Sequence, residues 1–164
     1  MTVLRAQAGA AETPLHRLDF LEGVWTGEID GTIGPADGRR SYRFVLGDRF
    51  LHMTHDRDPK ERAPSEEAHE EWSIFSHDSE RGVITLREFL VEGLVNTYRC
   101  ALDEGPTSLV CESEATEGSS GLSLWLQYEF GDPDRFTETF RIFGPDGALQ
   151  VQMVGEWRRT ADGR

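Results

Sequence analysis

The stretch at 82–100, GVITLREFLVEGLVNTYRC, sets Arg87, Glu88 and Arg99 among apolar residues in two strand-like runs around Glu92-Gly93. A charged side chain on the dry face of such a pair would put a polar group in an apolar setting, the usual composition of a small-molecule pocket. Taking Glu92-Gly93 as a two-residue hairpin turn pairs Arg87 with Tyr98, Phe89 with Asn96 and Thr85 with Cys100. On that register Arg87 points inward, while Glu88 and Arg99 point to water, Arg99 lying across from Glu112. A guanidinium offers a planar two-pronged donor for a carboxylate or phosphate. The plainer alternative is an Arg87 near a barrel mouth that extends to water.

The same alternation turns Tyr42, His55, Asn96, Tyr98, Tyr128 and Glu138 inward. With Arg87 they form the candidate ligand-binding set. Glu138, side by side with Tyr128, is a candidate counter-ion for Arg87 in an empty cavity, because an unpaired buried charge is costly. Glu138 or His55 as acid or base, with Arg87 stabilising negative charge, is the catalytic alternative. No nucleophile–base motif, glycine-rich phosphate loop or HExxH supports it, so binding is favoured and no catalytic residue is assigned. His52 and His55 fall on opposite faces of one strand and the two cysteines lack ligand spacing, so no metal site is expected.

These residues need elements to position them. TPLHRLDFLEG reads as one short helix over 14–22, with Thr13 as N-cap, Pro14 in the first turn, Gly23 as stop and Leu15, Leu18 and Leu21 as its apolar stripe. Ten strands follow, at about 24–33, 39–47, 49–58, 66–77, 82–91, 94–103, 108–116, 122–130, 135–143 and 148–159, separated by Gly-, Pro- and Asp-rich turns. No helix-length run intervenes, so the expected fold is an all-β antiparallel meander closed into a barrel, which removes its edges. The helix should cap one end, with a single domain over 13–160 and a leader over 1–12. The polar DPKERAPSEEAHEE segment is a candidate flap.

A three-residue DPD loop pairs Phe130 with Phe136, Tyr128 with Glu138, Leu126 with Phe140 and Leu124 with Ile142. A GPDG loop then pairs Ile142 with Leu149, Phe140 with Val151 and Glu138 with Met153, giving one nearly apolar face. Trp72, Ile74, Ile84, Leu86 and Leu90 fall on the outer face, a patch suited to a homodimer through Trp72, Ile74 and Leu86. Cys100 faces Cys111 across the DEGPTS turn, and two packed thiols are expected in a reducing compartment.

The chain has 164 residues, 29% charged and 37% apolar, which suits one globular domain. A formal net charge of −13 disfavours nucleic acid and anionic membranes as partners. The first 14 residues carry no secretory signal pattern and no apolar run reaches membrane-spanning length, so the expected location is cytoplasmic.

The opening LEGVWTGEI after a short helix, with Gly-x-Trp at Gly23-Val24-Trp25, and the closing GEWRR resemble the small calycin-like barrels. These include lipocalins, fatty-acid-binding proteins and especially bacterial nitrobindin-like families of uncharacterised function. The resemblance in element order spans about 13–159. It implies a ligand-enclosing barrel with Trp25 as a packing residue at one end. Nitrobindin-like members bind haem through a histidine near the end of the chain; here the histidines are His16, His52, His55, His69 and His77, and none follows. The expected function is therefore binding of a small hydrophobic molecule, an anionic one included, with no haem or other cofactor. A haem site with a non-standard ligand is the remaining alternative.

Overall fold

The computed structural model describes residues 13–59, 69–118 and 121–161. The leader, most of the flap segment and the extreme C-terminus lie outside the described residues. A 3-10 helix at Pro14–Leu21 precedes ten strands: β1 (Gly23–Gly31), β2 (Ala36–Val45), β3 (Phe50–Pro59), β4 (His69–Asp78), β5 (Val83–Leu90), β6 (Val95–Leu102), β7 (Ser108–Glu117), β8 (Ser123–Asp132), β9 (Arg135–Phe143) and β10 (Leu149–Arg159). Every sequential pair is antiparallel, and β1 also pairs with β10, from Trp25 opposite Arg159 to Gly31 opposite Met153. The ladder closes into a barrel with no free edge, as the turn chemistry predicts. No described helix is long and apolar enough to cross a membrane.

The helix is the tighter 3-10 form. At three residues per turn, Leu15, Leu18 and Leu21 stack on one line, and all three are fully buried. Thr13 caps through its backbone carbonyl, which accepts from His16 N–H at 2.9 Å, and makes no side-chain cap. The helix lies over the barrel end where β1 begins. Its Arg17 donates to the carbonyls of Asp103 and Glu104, Phe20 meets Phe130 edge-on at 4.7 Å, and Trp25 Nε1–H donates to Leu21 O at 2.8 Å. Each buried Leu here is worth roughly 1.5–3 kcal/mol, more than the helix could gain from its own few hydrogen bonds.

From that plug an aromatic column runs inward. Trp25 meets Phe136 edge-on at 4.9 Å, and Phe136 stacks on Trp157 at 5.9 Å. Trp157 fits because three glycines on adjacent strands make room. A Cβ built on Gly27 (β1), Gly38 (β2) or Gly155 (β10) would come within 2.6 Å of the indole.

Several register expectations are corrected. The β5–β6 loop is Val91-Glu92-Gly93, one residue longer than the Glu92-Gly93 turn. Leu90 N–H donates to Leu94 O at 3.0 Å, and Gly93 takes a left-handed φ of +80° as the third loop residue. Arg87 therefore pairs with Thr97, and Glu88 with Asn96. A one-residue change exchanges the faces of a strand. Arg87, Thr85 and Phe89 turn outward, while Ile84, Leu86 and Glu88 turn inward. Ile84 and Leu86 are buried and Leu90 lines the interior, so all three leave the outer patch. Trp72 and Phe89 remain as an exposed cross-strand pair. At β9–β10, Ile142 pairs with Val151 and Phe140 with Met153, two residues from the expected register, with a bulge between Leu149 and Val151. A shift of two preserves the faces, so the apolar wall stands. Cys100 and Cys111 do lie opposite each other, with Cα atoms 4.0 Å apart, but they form a disulfide rather than two packed thiols.

Gly27→Ala should drive a methyl into a rigid ring and cost about 1–3 kcal/mol. The check is a lower urea midpoint at unchanged slope; an unchanged midpoint would mean that Trp157 has room to move.

Candidate functional site

The barrel end away from the helix opens into a cavity of about 710 Å³, within the size range of small-molecule pockets. One wall is apolar, formed by Leu124 and Leu126 on β8, Phe140 and Ile142 on β9, and Val151 and Met153 on β10. The facing wall is polar, formed by Arg40 on β2, His55 on β3, Glu71 on β4, Glu88 on β5 and Asn96 on β6. The division follows from strand alternation: each residue occupies an inward position of its strand, and the strands differ only in what they place there.

Arg40 forms the floor. It is 4% exposed, donates through Nη2 to Glu138 Oε2 at 2.6 Å, and lies over the Trp157 ring with its Cζ 4.0 Å from the ring centroid. Trp157 Nε1–H donates to the same Glu138 oxygen at 3.2 Å. The ion pair and the cation–π contact both act where water does not screen them. Burial opposes the charge on Arg40, but Glu138 and the neighbouring phenols hold its pKa well above its ordinary value.

Above the floor, His55 Nδ1 lies 3.4 Å from Glu71 Oε2, and Ser73 Oγ–H donates to Glu71 Oε1 at 2.5 Å. Burial and then the charge of Arg40 push the pKa of His55 down, which keeps the imidazole neutral; its Nε2 is buried and has no hydrogen-bond partner among the described residues. Burial pushes Glu71 up, but the hydrogen bonds from His55 and Ser73 and the charge of Arg40 prevail and hold it well below the usual carboxylate range.

Glu88 behaves in the opposite way. Tyr98 O–H donates to its Oε2 at 2.6 Å and Asn96 Nδ2–H to the same atom at 3.2 Å. Burial, reinforced by the negative charge of Glu71, raises its pKa to about 8. Glu88 is thus a carboxylic acid at neutral pH, beside a carboxylate that stays ionised.

The structure brings together His55, Asn96 and Glu138 of the expected set as cavity-lining residues. Tyr42, Tyr98 and Tyr128 are inward and fully buried beside them, and burial first raises all three phenols, Tyr42 to about 12, so they act as neutral hydroxyls. Arg87 lies outside, half-exposed, 3.4 Å from Glu117, and takes no part in the cavity. Sequence reasoning missed Arg40, Glu71 and Glu88. Arg40 was two residues from Tyr42 on an assigned face, and Glu71 keeps step with buried Ser73 and Phe75. Glu88 was hidden by the length of one turn. At the mouth, His69 Nδ1 lies 2.9 Å from Glu92 Oε1. Among the described residues no group of three or more His, Cys, Asp or Glu side chains is placed to hold a metal ion.

The raised pKa of Glu88 makes stability depend on pH. In the unfolded chain it titrates near 4.5 and in the folded barrel near 8, so folding takes up a proton between those values. The contribution of Glu88 is full below 4.5 and is lost as pH rises through about 8; Glu71, whose pKa is lowered, contributes throughout that window. Glu88→Gln cannot ionise. Its stability relative to wild type should rise by on the order of 1 kcal/mol per pH unit from pH 5 to 8. Urea unfolding across that range is the check, and parallel curves would place the Glu88 carboxyl in water.

No protein-family model matches the chain, and no curated protein is detectably similar to it. Solved structures do share the architecture. Rv2717c from M. tuberculosis is 16% identical with a TM-score of 0.64, over 89% of this chain and 96% of that one. The S-type phycobiliprotein lyase CPES from Guillardia theta is 10% identical with a TM-score of 0.58, over 88% of this chain and 91% of that one. At these identities the likeness is one of fold. This chain shares with them the closed antiparallel barrel fold, here of ten strands, and the calycin-like and nitrobindin-like resemblance rests on Gly23-Val24-Trp25, the closing GEWRR and the element order.

Proposed function

We propose that this protein binds a small, largely apolar molecule inside the barrel, with its tail on the β8–β10 wall and a polar head toward β2–β6. The observation that carries the reading is the division of one cavity into an apolar and a polar wall. Small ligands are held by apolar lining with a few convergent polar groups, and here the polar groups are locked by mutual hydrogen bonds. An anionic head loses its anchor, because Arg87 is outside and Arg40 is already paired with Glu138. The acid–base alternative is weakened in the same way, since Glu138 accepts from both Arg40 and Trp157. The reading includes no haem or other cofactor, in keeping with the lack of any histidine after His77.

A homodimer is a separate part of the proposal and now rests on Trp72, Ile74 and Phe89 without Leu86. Light scattering that returned a monomer would end it.

Nile red, a neutral apolar dye, should bind with enhanced emission. Ile142→Trp, which fills the cavity from the apolar wall, should weaken that binding about tenfold or more while the barrel stays folded by circular dichroism. Equal binding by both proteins would place the dye on the surface and contradict the proposal.

A further inference from the structure

The charges around the cavity do not balance. Among the described lining residues are four carboxyl groups, Glu71, Glu88, Glu92 and Glu138, and two guanidiniums, Arg40 and Arg57. Arg40 is used by Glu138, and Arg57 reaches Gly34 O at 3.5 Å on the rim. His69 sits with Glu92 at the mouth. That leaves Glu71 and Glu88, on neighbouring strands β4 and β5, deep in the polar wall. Both hydrogen bonds that Glu88 accepts fall on Oε2, and no described donor reaches its other oxygen although the residue is only 7% exposed. His55, also lining the cavity, has a buried Nε2 with no hydrogen-bond partner among the described residues.

We propose that the head group selected by this cavity is a protonated amine, held by Glu88 and Glu71, on an apolar body that packs against β8–β10. The inference rests on the reading of the barrel as a small-molecule binder and names the class of ligand. An ammonium carries three donors and no acceptor, which suits the open carboxyl oxygen of Glu88 and the imidazole nitrogen of His55. A carboxylate or phosphate head would face two acidic groups, with Arg40, the deep cation among the described lining residues, already paired.

The pKa of Glu88 supplies the linkage. In the empty barrel it carries a proton near neutral pH. The groups facing it are Glu71 and Ser73 on β4, Asn96 and Tyr98 on β6, Arg40 and Tyr42 on β2, His55 on β3, Tyr128 on β8 and Glu138 on β9. An arriving ammonium takes over the neutralising role of that proton, which leaves Glu88 for solvent. The O–H bond of the carboxyl breaks, the ion pair forms, and the total charge is conserved. A neutral alcohol of the same shape displaces no proton.

The test is displacement of Nile red from the wild-type protein by octylamine, octanol and octanoate. At neutral pH octylamine is fully protonated and octanoate fully ionised. The expected order is octylamine strongest, effective at about tenfold lower concentration than octanol, with octanoate weakest. Octylamine should strengthen between pH 6 and 8 while octanol stays flat. Glu88→Gln should remove the advantage of the amine, bringing it to the level of the alcohol measured on the same variant. The wild-type pH series gives the same answer without a variant. Octanoate as the strongest competitor, or three equal competitors, would overturn the amine assignment and leave the binding proposal standing. Absence of any dye binding would overturn both.

Discussion

A guanidinium inside a barrel must find an anion, and Arg40 finds it in Glu138 at 2.6 Å while its Cζ lies over the Trp157 ring. Much of the interior is arranged around that contact. Trp157 can lie in the barrel because Gly27, Gly38 and Gly155 offer no side chain where the indole sits. Its other neighbours, Phe136 and then Trp25, link it to the 3-10 helix that closes the end. The column from helix to Arg40 fills the lower barrel, and the cavity is the space above it. Removing either charge would leave its partner buried and alone, which costs far more than the pair contributes.

That floor also sets the chemistry of the wall above it. The charge of Arg40 reaches His55 and Glu71 as well as Glu138, depressing the first two pKa values. Glu88 lies beside the negative Glu71, so burial prevails there and the acid keeps its proton. Two carboxyl groups on adjacent strands thus hold opposite protonation states: Glu71 accepts from His55 and Ser73 and feels the charge of Arg40, whereas Glu88 is buried beside the negative Glu71. The apolar wall on β8–β10 faces this gradient across the cavity.

The architecture was legible because turn residues and period-two alternation both point to a closed meander. The β8–β9 register was legible from Leu124 to Tyr128, Tyr128 facing Glu138 as expected, but a register shift between Glu129 and Asp132 pairs Asp132 with Arg135 in place of the three-residue DPD loop and its Phe130–Phe136 pair. The β9–β10 register was off by two, which costs nothing in face assignment. The β5–β6 register was off by one, which exchanged Arg87 for Glu88. The cause was local: Glu92-Gly93 satisfies a two-residue turn on paper, whereas Gly93 adopts its left-handed conformation as the last of three loop residues. Arg40 was within reach of the alternation rule through Tyr42, but a charged residue near a strand start reads as solvated. Its pairing with Glu138, 98 positions away, is a product of barrel closure. The Trp157 cradle depends likewise on three glycines that only the closed barrel brings to one row.

The central claim is that Arg40 and Glu138 form a coupled internal pair on which the cavity floor stands. A double-mutant cycle with Arg40→Met, Glu138→Leu and the double variant, read by urea unfolding, tests it most directly. Each single change should cost about 3–5 kcal/mol by stranding its partner, and the double variant should recover much of that loss. Strictly additive losses, or single variants as stable as wild type, would mean that the two groups do not depend on each other and that the floor is held by packing alone.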